Sequence, residues 1–226
     1  LSDKSMDAVI TDPPYGGNVN YGELADYWLV WLDDVMDKTK EAVINATQGK
    51  SQNDYEEILF GVFKECHRVL KDDSPMVATF NSKDLVIISS FIKAGVKAGF
   101  KLMDDGLLYQ PPIKAYVTTV HAKEIGAFTG DFIFTFCKDN SLDNPINPNI
   151  ENCEILINEI IEKNAMRAKT EVQMRRWVYE EVIPLFAKWA KSPDGWITDI
   201  AKYAEWQLKK QKFESLHFEL ARSIAR

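Results

Sequence analysis

Short apolar runs alternate with longer amphipathic segments along the first 140 residues of the chain. The runs typical of strands occupy residues 8–10, 75–80, 101–109 and 132–138. Segments with apolar residues at spacings of three and four, typical of helices, occupy residues 23–38, 54–70 and 83–98. Strands that alternate with helices in this way predict the α/β fold class.

The connections between the predicted strands indicate how they pair. Residues 110–130 join the last two strands without a helical pattern, so we expect those strands to be antiparallel. Strands 8–10 and 75–80 are separated by predicted helices. We expect them to be neighbours whose carboxyl ends lie at one edge of the sheet, where ligands bind in open α/β sheets.

The remainder of the chain is predicted to be helical. The Pro- and Asn-rich stretch 140–150 indicates a linker between a region at 1–139 and a helical region at 151–226. The predicted helices of that region occupy residues 151–166, 169–191, 194–211 and 213–225, and Pro184 is expected to kink or end the second. The helical tail is interpreted as a brace, with a target-recognition or partner-docking module as the alternative.

The same patterns support three local predictions. Trp28 and Trp31 recur at helical spacing, which favours a place in the core over a role in base stacking. Residues 39–53 are polar and predict a loose loop. Ser82 is expected to cap the helix at 83–98, and Gly99 is expected to end it.

Composition and charge narrow the function classes. The chain has 226 residues and a formal net charge of −7, which is unusual for a protein that binds DNA. The three cysteines lack the spacing of a zinc site, so no metal is expected, and they suit a reducing, cytoplasmic environment. The sequence contains no long apolar segment or signal peptide, so no membrane partner is expected.

The candidate chemistry lies in Asp12-Pro13-Pro14-Tyr15, directly after the first predicted strand. Each proline restricts its own φ and the residue before it, so this loop is stiff. The Asp12 carboxylate and the Pro13 carbonyl can accept the two N–H bonds of an exocyclic amine. They would thereby localise its lone pair toward a methyl donor. Tyr15 can stack on a base that has been flipped out of the helix.

These residues resemble the Asp-Pro-Pro-Tyr signature of S-adenosylmethionine-dependent amino-methyltransferases. The longer stretch TDPPYGGNVNYGELADYWLVWL is similar to adenine-specific DNA methylases that contain a zinc ribbon, over residues 5–138. The resemblance implies S-adenosylmethionine as cofactor and DNA as partner. It also implies Asp12 and Pro13 as amine acceptors and Tyr15 as the stacking residue. The zinc ribbon of that family is absent from this sequence, because no CxxC spacing occurs.

Further candidate substrate contacts flank the motif and the second strand. Asn18 and Tyr21 lie in the glycine-rich stretch 16–22, which is either the wall of a base pocket or a flexible loop. Asn81 and Lys83 follow the strand at 75–80 and could reach base or phosphate, although Asn81 can equally be a turn residue. Lys114, Tyr116, His121 and Lys123 lie in the long connection, which could contact DNA or the flipped base, although Lys114 and Lys123 can equally be solvated.

The segment that would bind the cofactor is missing from the sequence. A site of this class needs a glycine-rich turn after the first strand, and no GxG occurs. Asp12 would therefore touch only the donor side of the cofactor. The chain reads as the C-terminal half of a Rossmann-like methyltransferase sheet followed by a helical tail, with the cofactor half on the rest of a longer chain. An unpaired sheet edge also makes a homodimer plausible.

The function that fits these residues best is transfer of a methyl group from S-adenosylmethionine to the N6 amine of adenine in DNA. One alternative keeps the chemistry and changes the acceptor to cytosine N4, an RNA base or a protein glutamine. The other alternative is a non-catalytic binding or scaffold subunit, which the acidic charge and the missing cofactor loop would favour.

Overall fold

The structure is a computed structural model that describes residues 1–112, 130–140, 149–192 and 196–211. It contains a four-stranded mixed sheet flanked by helices, which confirms the predicted α/β class. The strands are β1 Val9–Thr11, β2 Met76–Phe80, β3 Phe100–Gln110 and β4 Asp131–Lys138. The helices in the described ranges are α1 Tyr21–Leu32, α2 Gln52–Val69, α3 Leu85–Lys97, α4 Ile150–Arg167, α5 Glu171–Trp189 and α6 Trp196–Lys210.

The strand order β1-β2-β4-β3 agrees with the expected pairing. β1 runs parallel to β2, with Thr11 opposite Ala78, so both strands end at the same edge of the sheet. β4 is antiparallel to both β2 and β3, which confirms the antiparallel closing pair. The residues that follow β1 and β2 and those that precede β4 are therefore brought together at one edge.

The two faces of the sheet differ in burial. Alternate residues of β2 and β4 point into the core and are fully buried: Met76, Ala78, Phe80, Phe132, Phe134 and Phe136. Helices α2 and α3 and the C-terminal helices pack over this face. The residues between them, such as Val77 and Thr79, are only half-buried. Ile10 of the edge strand β1 is 82% exposed.

Helix α1 does not contribute its aromatic residues to the core, so the prediction for Trp28 and Trp31 was wrong. Their side chains are 67% and 79% exposed, respectively, and Leu24, Tyr27 and Leu32 are also exposed. The spacing correctly indicated a helix. However, the spacing shows only that the apolar residues share one surface of the helix. Within the described residues, no other part of the chain buries this surface of α1.

The C-terminal helices share the core of the sheet. Ile157, Val178 and Ala201 belong to the same buried apolar cluster as the phenylalanines of β4. Glu205 of α6 accepts hydrogen bonds from the backbone N–H of Leu85 (3.0 Å) and the hydroxyl of Tyr179 (2.6 Å). These contacts join α5 and α6 to the start of α3. The helix α5 continues through Pro184 rather than ending there.

The helix boundaries correct several local predictions. Asp84, not Ser82, caps α3 by accepting a hydrogen bond from the N–H of Val86, because the helix begins at Leu85. Gly99, with φ of 96°, follows the end of α3 as predicted. The segment 39–53 is more ordered than a loose loop. Val43 is fully buried there, and the first residues of α2 occupy its end.

Some predictions lie outside the described residues. These are the contacts proposed for Lys114, Tyr116, His121 and Lys123, most of the linker at 140–150, and the helix at 213–225. No helix within the described ranges combines the length and apolar character needed to cross a bilayer.

Candidate active site

The Asp-Pro-Pro-Tyr loop follows the end of β1, and hydrogen bonds from α2 and from the segment after α1 hold its backbone. The hydroxyl of buried Tyr55 in α2 donates a hydrogen bond of 2.6 Å to the carbonyl of Pro14. The N–H of Ile44 bonds the carbonyl of Gly16 at 3.3 Å. Gly16 has φ of 67°, which favours glycine. The loop is therefore fixed at two nearby points of its backbone, while Asp12 at its start is exposed.

One oxygen of the Asp12 carboxylate is fully engaged. Oδ1 accepts a hydrogen bond of 2.5 Å from the Tyr15 hydroxyl and another of 2.7 Å from Oγ1 of Thr79 in β2. Burial, followed by the bond to Asp12 and the charge of Asp12, raises the pKa of Tyr15, so this hydroxyl stays a donor at neutral pH. Among the described residues no group donates to Oδ2 of Asp12 or to the Pro13 carbonyl. Oδ2 of the exposed Asp12 is thus open to a donor, whereas Pro13 is a buried residue, and the role of its carbonyl as an amine acceptor stays a prediction.

The Tyr15 ring packs on the core as well as reaching Asp12. Its centroid lies 5.1 Å from that of Phe80 with an interplanar angle of 67°, a T-shaped pair. The ring is half-buried, so part of its surface remains accessible. Its role as a stacking residue for a base stays a prediction.

Asn81 and Asp131 meet beside this loop. Asn81 follows β2 and donates a hydrogen bond of 2.9 Å to the carbonyl of Gly130 and another to the carboxylate of Asp131, the first residue of β4. Burial raises the pKa of Asp131. The bond from Asn81 opposes this rise, and the charge of Asp12 adds to it. The site thus contains two carboxyl groups, close enough for the charge of one to affect the other.

The remaining predicted contacts are spread more widely. Asn18 and Lys83 are exposed, and Tyr21, the first residue of α1, is 55% exposed. A Cβ on Gly17 would lie 2.7 Å from the carbonyl of Ile44, so the glycine permits close packing of the loop against the segment after α1. The structure brings Asn81 to Gly130 and Asp131, beside the Asp-Pro-Pro-Tyr loop. The structure gives the positions and exposure of Asn18, Tyr21 and Lys83. Their contacts with substrate stay predictions.

Sequence reasoning missed three residues of this site: Tyr55, Thr79 and Asp131. Tyr55 lies in the predicted helical segment 54–70, and the apolar spacing of that segment carries no signal for its hydroxyl. Thr79 had a usable signal, because it lies two residues before Asn81 and so shares a sheet face with it. Asp131 directly follows Gly130 at the start of a strand, and it comes near Asn81 through the pairing of β4 with β2, which the sequence pattern did not predict.

The described residues fit the acceptor side of a methyl transfer better than the cofactor side. The glycine pair that follows β1, Gly16-Gly17, packs against Ile87 and Ile44. β1, which carries the catalytic loop, is the edge strand of the sheet. The binding of S-adenosylmethionine stays a prediction for the residues in the described ranges. Within the same ranges, no group of three His, Cys, Asp or Glu side chains is arranged to hold a metal ion.

Comparisons with known proteins place the chain in a family. A family model described as DNA methylase, of the N6/N4 methyltransferase type, matches residues 6–214 and so includes the helices α4–α6. A search of curated proteins found no match.

Two matching crystal structures are of a candidate DNA modification methylase from Thermus thermophilus. The selenomethionine derivative is 15% identical with a TM-score of 0.36, over 73% of this chain and 57% of the other. The second structure is 14% identical with a TM-score of 0.32, over 86% of this chain and 90% of the other. The chain thus spans little more than half the length of the first of these structures. On the strength of the family match over most of its length, the chain belongs to the N6/N4 DNA methylase family.

Proposed function

We propose that this chain carries the acceptor side of a DNA methyltransferase that transfers a methyl group from S-adenosylmethionine to the N6 amine of adenine. The observation that carries the proposal is the Asp12 carboxylate. Its Oδ1 is fixed by Tyr15 and Thr79, while Oδ2 has no donor among the described residues. An amine that donates to Oδ2 meets an acceptor already oriented for it, so little reorganisation is needed during the reaction.

The amine needs this help because its lone pair is delocalised into the ring of the base. A hydrogen bond from one N–H to Asp12 and one from the other to the Pro13 carbonyl would favour the geometry in which the lone pair points at the methyl donor. The same bonds would offset the positive charge that develops on nitrogen. Holding both reactants in line supplies most of the remaining acceleration.

The cofactor half is proposed to lie on the rest of a longer protein and to pack beside β1. Two observations support this position. Ile10 presents 82% of its side chain on the free edge of the sheet, and α1 exposes several large apolar side chains. Monomeric soluble proteins rarely leave contiguous apolar surface uncovered. The division into regions at 1–139 and 151–226 is also a proposal, in which the helical region braces α3 through Glu205 and Tyr179.

The test is a methylation assay on the longer protein with labelled methyl donor. DNA duplexes, an RNA and a peptide that contains glutamine are offered as acceptors, and the modified nucleosides are identified by mass spectrometry. We expect N6-methyladenine in DNA. If N4-methylcytosine is found instead, the acceptor is the N4 amine of cytosine rather than the N6 amine of adenine. If only RNA or peptide is modified, the proposal that DNA is the substrate is wrong.

The variant Asp12→Ala separates catalysis from scaffolding. Because it removes the acceptor on which the proposal depends, we expect transfer to fall to background while folding is retained. The matched control is Asp7→Ala, which removes an exposed carboxylate paired with Lys71 before β1 and should leave transfer unchanged. Full activity of Asp12→Ala, or no activity of the unmodified protein with any acceptor, would overturn the proposal.

A further inference from the structure

We propose that Asp131 is the second carboxylate of the acceptor site and takes the proton that the amine loses after it is methylated. This inference rests on the proposed function and adds a residue that the Asp-Pro-Pro-Tyr motif does not contain. Asp131 lies 116 residues beyond Tyr15 in the sequence numbering, and only the pairing of β4 with β2 brings it to the site.

The register of three strands places Asp131 on the same face of the sheet as Asp12. Thr79 of β2 bonds Asp12 and lies opposite Ile133 of β4. Asp131 precedes Ile133 by two residues, so the two side chains point to the same face. This is the half-buried face, away from the phenylalanines of the core. Both carboxylates therefore occupy the open side of one sheet edge.

The surroundings of Asp131 fix its position and favour its acting as a base. Asn81 donates one bond to the Asp131 carboxylate and one to the neighbouring Gly130 carbonyl, which holds the start of β4 against the end of β2. Asp131 is half-buried and feels the charge of Asp12, and both effects raise its pKa. Two carboxyl groups in one site with different surroundings are a common way to divide tasks between them.

Besides Asp12, the titratable groups that the structure places around Asp131, within the described ranges, are tyrosines. Tyr15, in the Asp-Pro-Pro-Tyr loop, lies close enough for the charge of Asp131 to raise its pKa. Tyr109 of β3 is affected by the same charge, although it pairs with Phe132 and so lies on the opposite face of the sheet. Arg176 of α5 lies over the Tyr109 ring, 5.0 Å from its centroid, and its charge partly opposes the rise that burial causes in the pKa of Tyr109. Both tyrosines nevertheless have raised pKa values and remain neutral near pH 7, so neither competes for the proton.

The proton transfer follows the formation of the new bond. When the amine nitrogen has formed its bond to the methyl carbon, it carries a positive charge and two N–H bonds. The methylated nitrogen is tetrahedral, so one N–H bond turns away from the Pro13 carbonyl toward Asp131 while the other stays on Asp12. The N–H bond that has turned away breaks, its electron pair returns to nitrogen, and the proton forms an O–H bond with Asp131. Asp12 keeps its hydrogen bonds from Tyr15 and Thr79 throughout, so it orients the amine while Asp131 removes the proton. The proton then passes from Asp131 to solvent.

The kinetic test uses the longer protein and compares Asp131→Asn with the matched control Asp104→Asn, an exposed aspartate on β3. Because a positioned base typically contributes 10²- to 10⁴-fold, we expect kcat of Asp131→Asn to fall about 10²-fold with little change in KM. Wild-type kcat should decline below the pKa of Asp131, and Asp131→Asn should lack that decline. Added formate should restore part of the lost rate, and Asp131→Glu should retain more activity than Asp131→Asn.

Three outcomes would overturn the proposal: an unchanged kcat, a rise in KM alone, or a decline at low pH that survives in Asp131→Asn. Circular dichroism of the variant checks its fold. If Asp131→Asn does not fold, Asp131→Glu with and without formate decides the question.

A second measurement does not depend on activity. Carbon-13 NMR of the aspartate carboxyls should show Asp131 titrating above the usual aspartate range, and lower in Asp12→Asn than in the unmodified chain, because the charge of Asp12 raises its pKa. If Asp131 titrates at the same pH in the unmodified chain and in Asp12→Asn, the proposal that the two carboxylates share one site is overturned, even if the protein methylates DNA. If Asp12→Asn lowers the pKa of Asp131 but the longer protein methylates no acceptor, the two carboxylates share a site and the proposed function is wrong.

Discussion

The Tyr15 hydroxyl donates a 2.5 Å hydrogen bond to Oδ1 of Asp12, three residues earlier in the same loop. The loop thus contains its own orienting group. The proline pair shapes the backbone so that the aromatic ring returns to the acid, and Thr79 completes the pair of donors at 2.7 Å. Tyr15 therefore has a role beyond the surface that it offers to a base, and the two roles are separable by substitution.

Replacing Tyr15 with Phe removes the hydroxyl and keeps the ring. We expect kcat to fall roughly 10- to 100-fold, since a hydrogen bond to a charged group contributes about 1.5–3 kcal/mol. KM for DNA should change little. Tyr15→Ala should raise KM as well, because it also removes the surface for stacking. Steady-state kinetics measures both, with exposed Tyr27→Phe as control. A Tyr15→Phe variant with wild-type kcat would mean that Thr79 alone orients Asp12.

Tyr55 is expected to couple the stability of the core to the position of the loop. Tyr55→Phe removes the 2.6 Å bond to the Pro14 carbonyl and should lower the free energy of unfolding by about 1 kcal/mol. It should also lower kcat several-fold, because the loop loses one of its two backbone attachments.

The control for Tyr55 is Tyr203→Phe. The Tyr203 hydroxyl accepts bonds of 2.7 Å from both Asn158 and Gln207, far along the chain from the loop. Urea unfolding should show a similar loss of stability in both variants, whereas only Tyr55→Phe should affect kcat. Equal effects on kcat would show that the bond to Pro14 has no special place in catalysis.

The position of the Asp-Pro-Pro-Tyr loop and the two parallel strands beside it could be predicted from sequence because the evidence for them is local. An apolar run that stops at Asp12-Pro13-Pro14 gives both the strand and its end. The crossover helices before β2 give the parallel pairing, which places Asn81 at the same edge. By contrast, the contacts of Tyr55 with Pro14 and of Asp131 with Asn81 join residues 41 and 50 positions apart. Patterns within a short window carry no information about such pairs.

The error at α1 has a different physical origin. Apolar periodicity identifies a surface that avoids water, but it does not say whether this chain or another covers it. Trp28 and Trp31 satisfied the pattern of a core helix and remain exposed. The cap of α3 was misplaced for a smaller reason, because Ser82 and Asp84 are both good capping residues and only the backbone decides between them.

The exposure of α1 predicts the fluorescence of the chain. Acrylamide should quench Trp28 and Trp31 strongly, because most of each side chain meets solvent. The double variant Trp28→Phe/Trp31→Phe should lose a large part of the quenchable emission and leave the part from Trp206, which is 53% exposed. By contrast, Trp189→Phe, at a 7% exposed position, should retain the quenchable emission. Protection of Trp28 and Trp31 from acrylamide that increases with protein concentration would show that a second copy covers this surface.

The contact between the C-terminal helices and α3 should be a major source of stability. Glu205→Ala removes the acceptor for the Leu85 N–H and Tyr179 hydroxyl and leaves Arg175 with Glu171 alone. Breaking a buried ionic network typically costs about 3 kcal/mol or more. Urea unfolding should show this loss, while exposed Glu159→Ala should not. A Glu205→Ala variant as stable as the unmodified chain would overturn the interpretation of the tail as a brace.

The same network predicts an unusual dependence of stability on pH at Asp84. Burial, and the nearby charge of Glu205, raise the pKa of Asp84 in the folded chain, although its bond from the Val86 N–H opposes the rise. A carboxyl whose pKa is raised by folding favours the folded state most when it is protonated. That contribution is complete below the unfolded pKa of about 3.9 and is lost as the pH rises through the higher folded value.

Asp84→Asn should therefore stabilise the protein at pH 7. Asparagine caps a helix about as well as aspartate, so the bond to Val86 is retained while the charge is removed. We expect a gain of roughly 0.5 kcal/mol after allowing for solvent screening, and we expect it to vanish as the pH falls below the folded pKa. Unfolding in urea at pH 7 and pH 4 measures the difference. The exposed Asp199→Asn, which breaks an ion pair with Lys202, serves as control. If the gain in the free energy of unfolding grows as the pH falls, folding lowers the pKa of Asp84 rather than raising it. The conclusion that the charges of Glu205 and Asp84 repel each other would then be wrong.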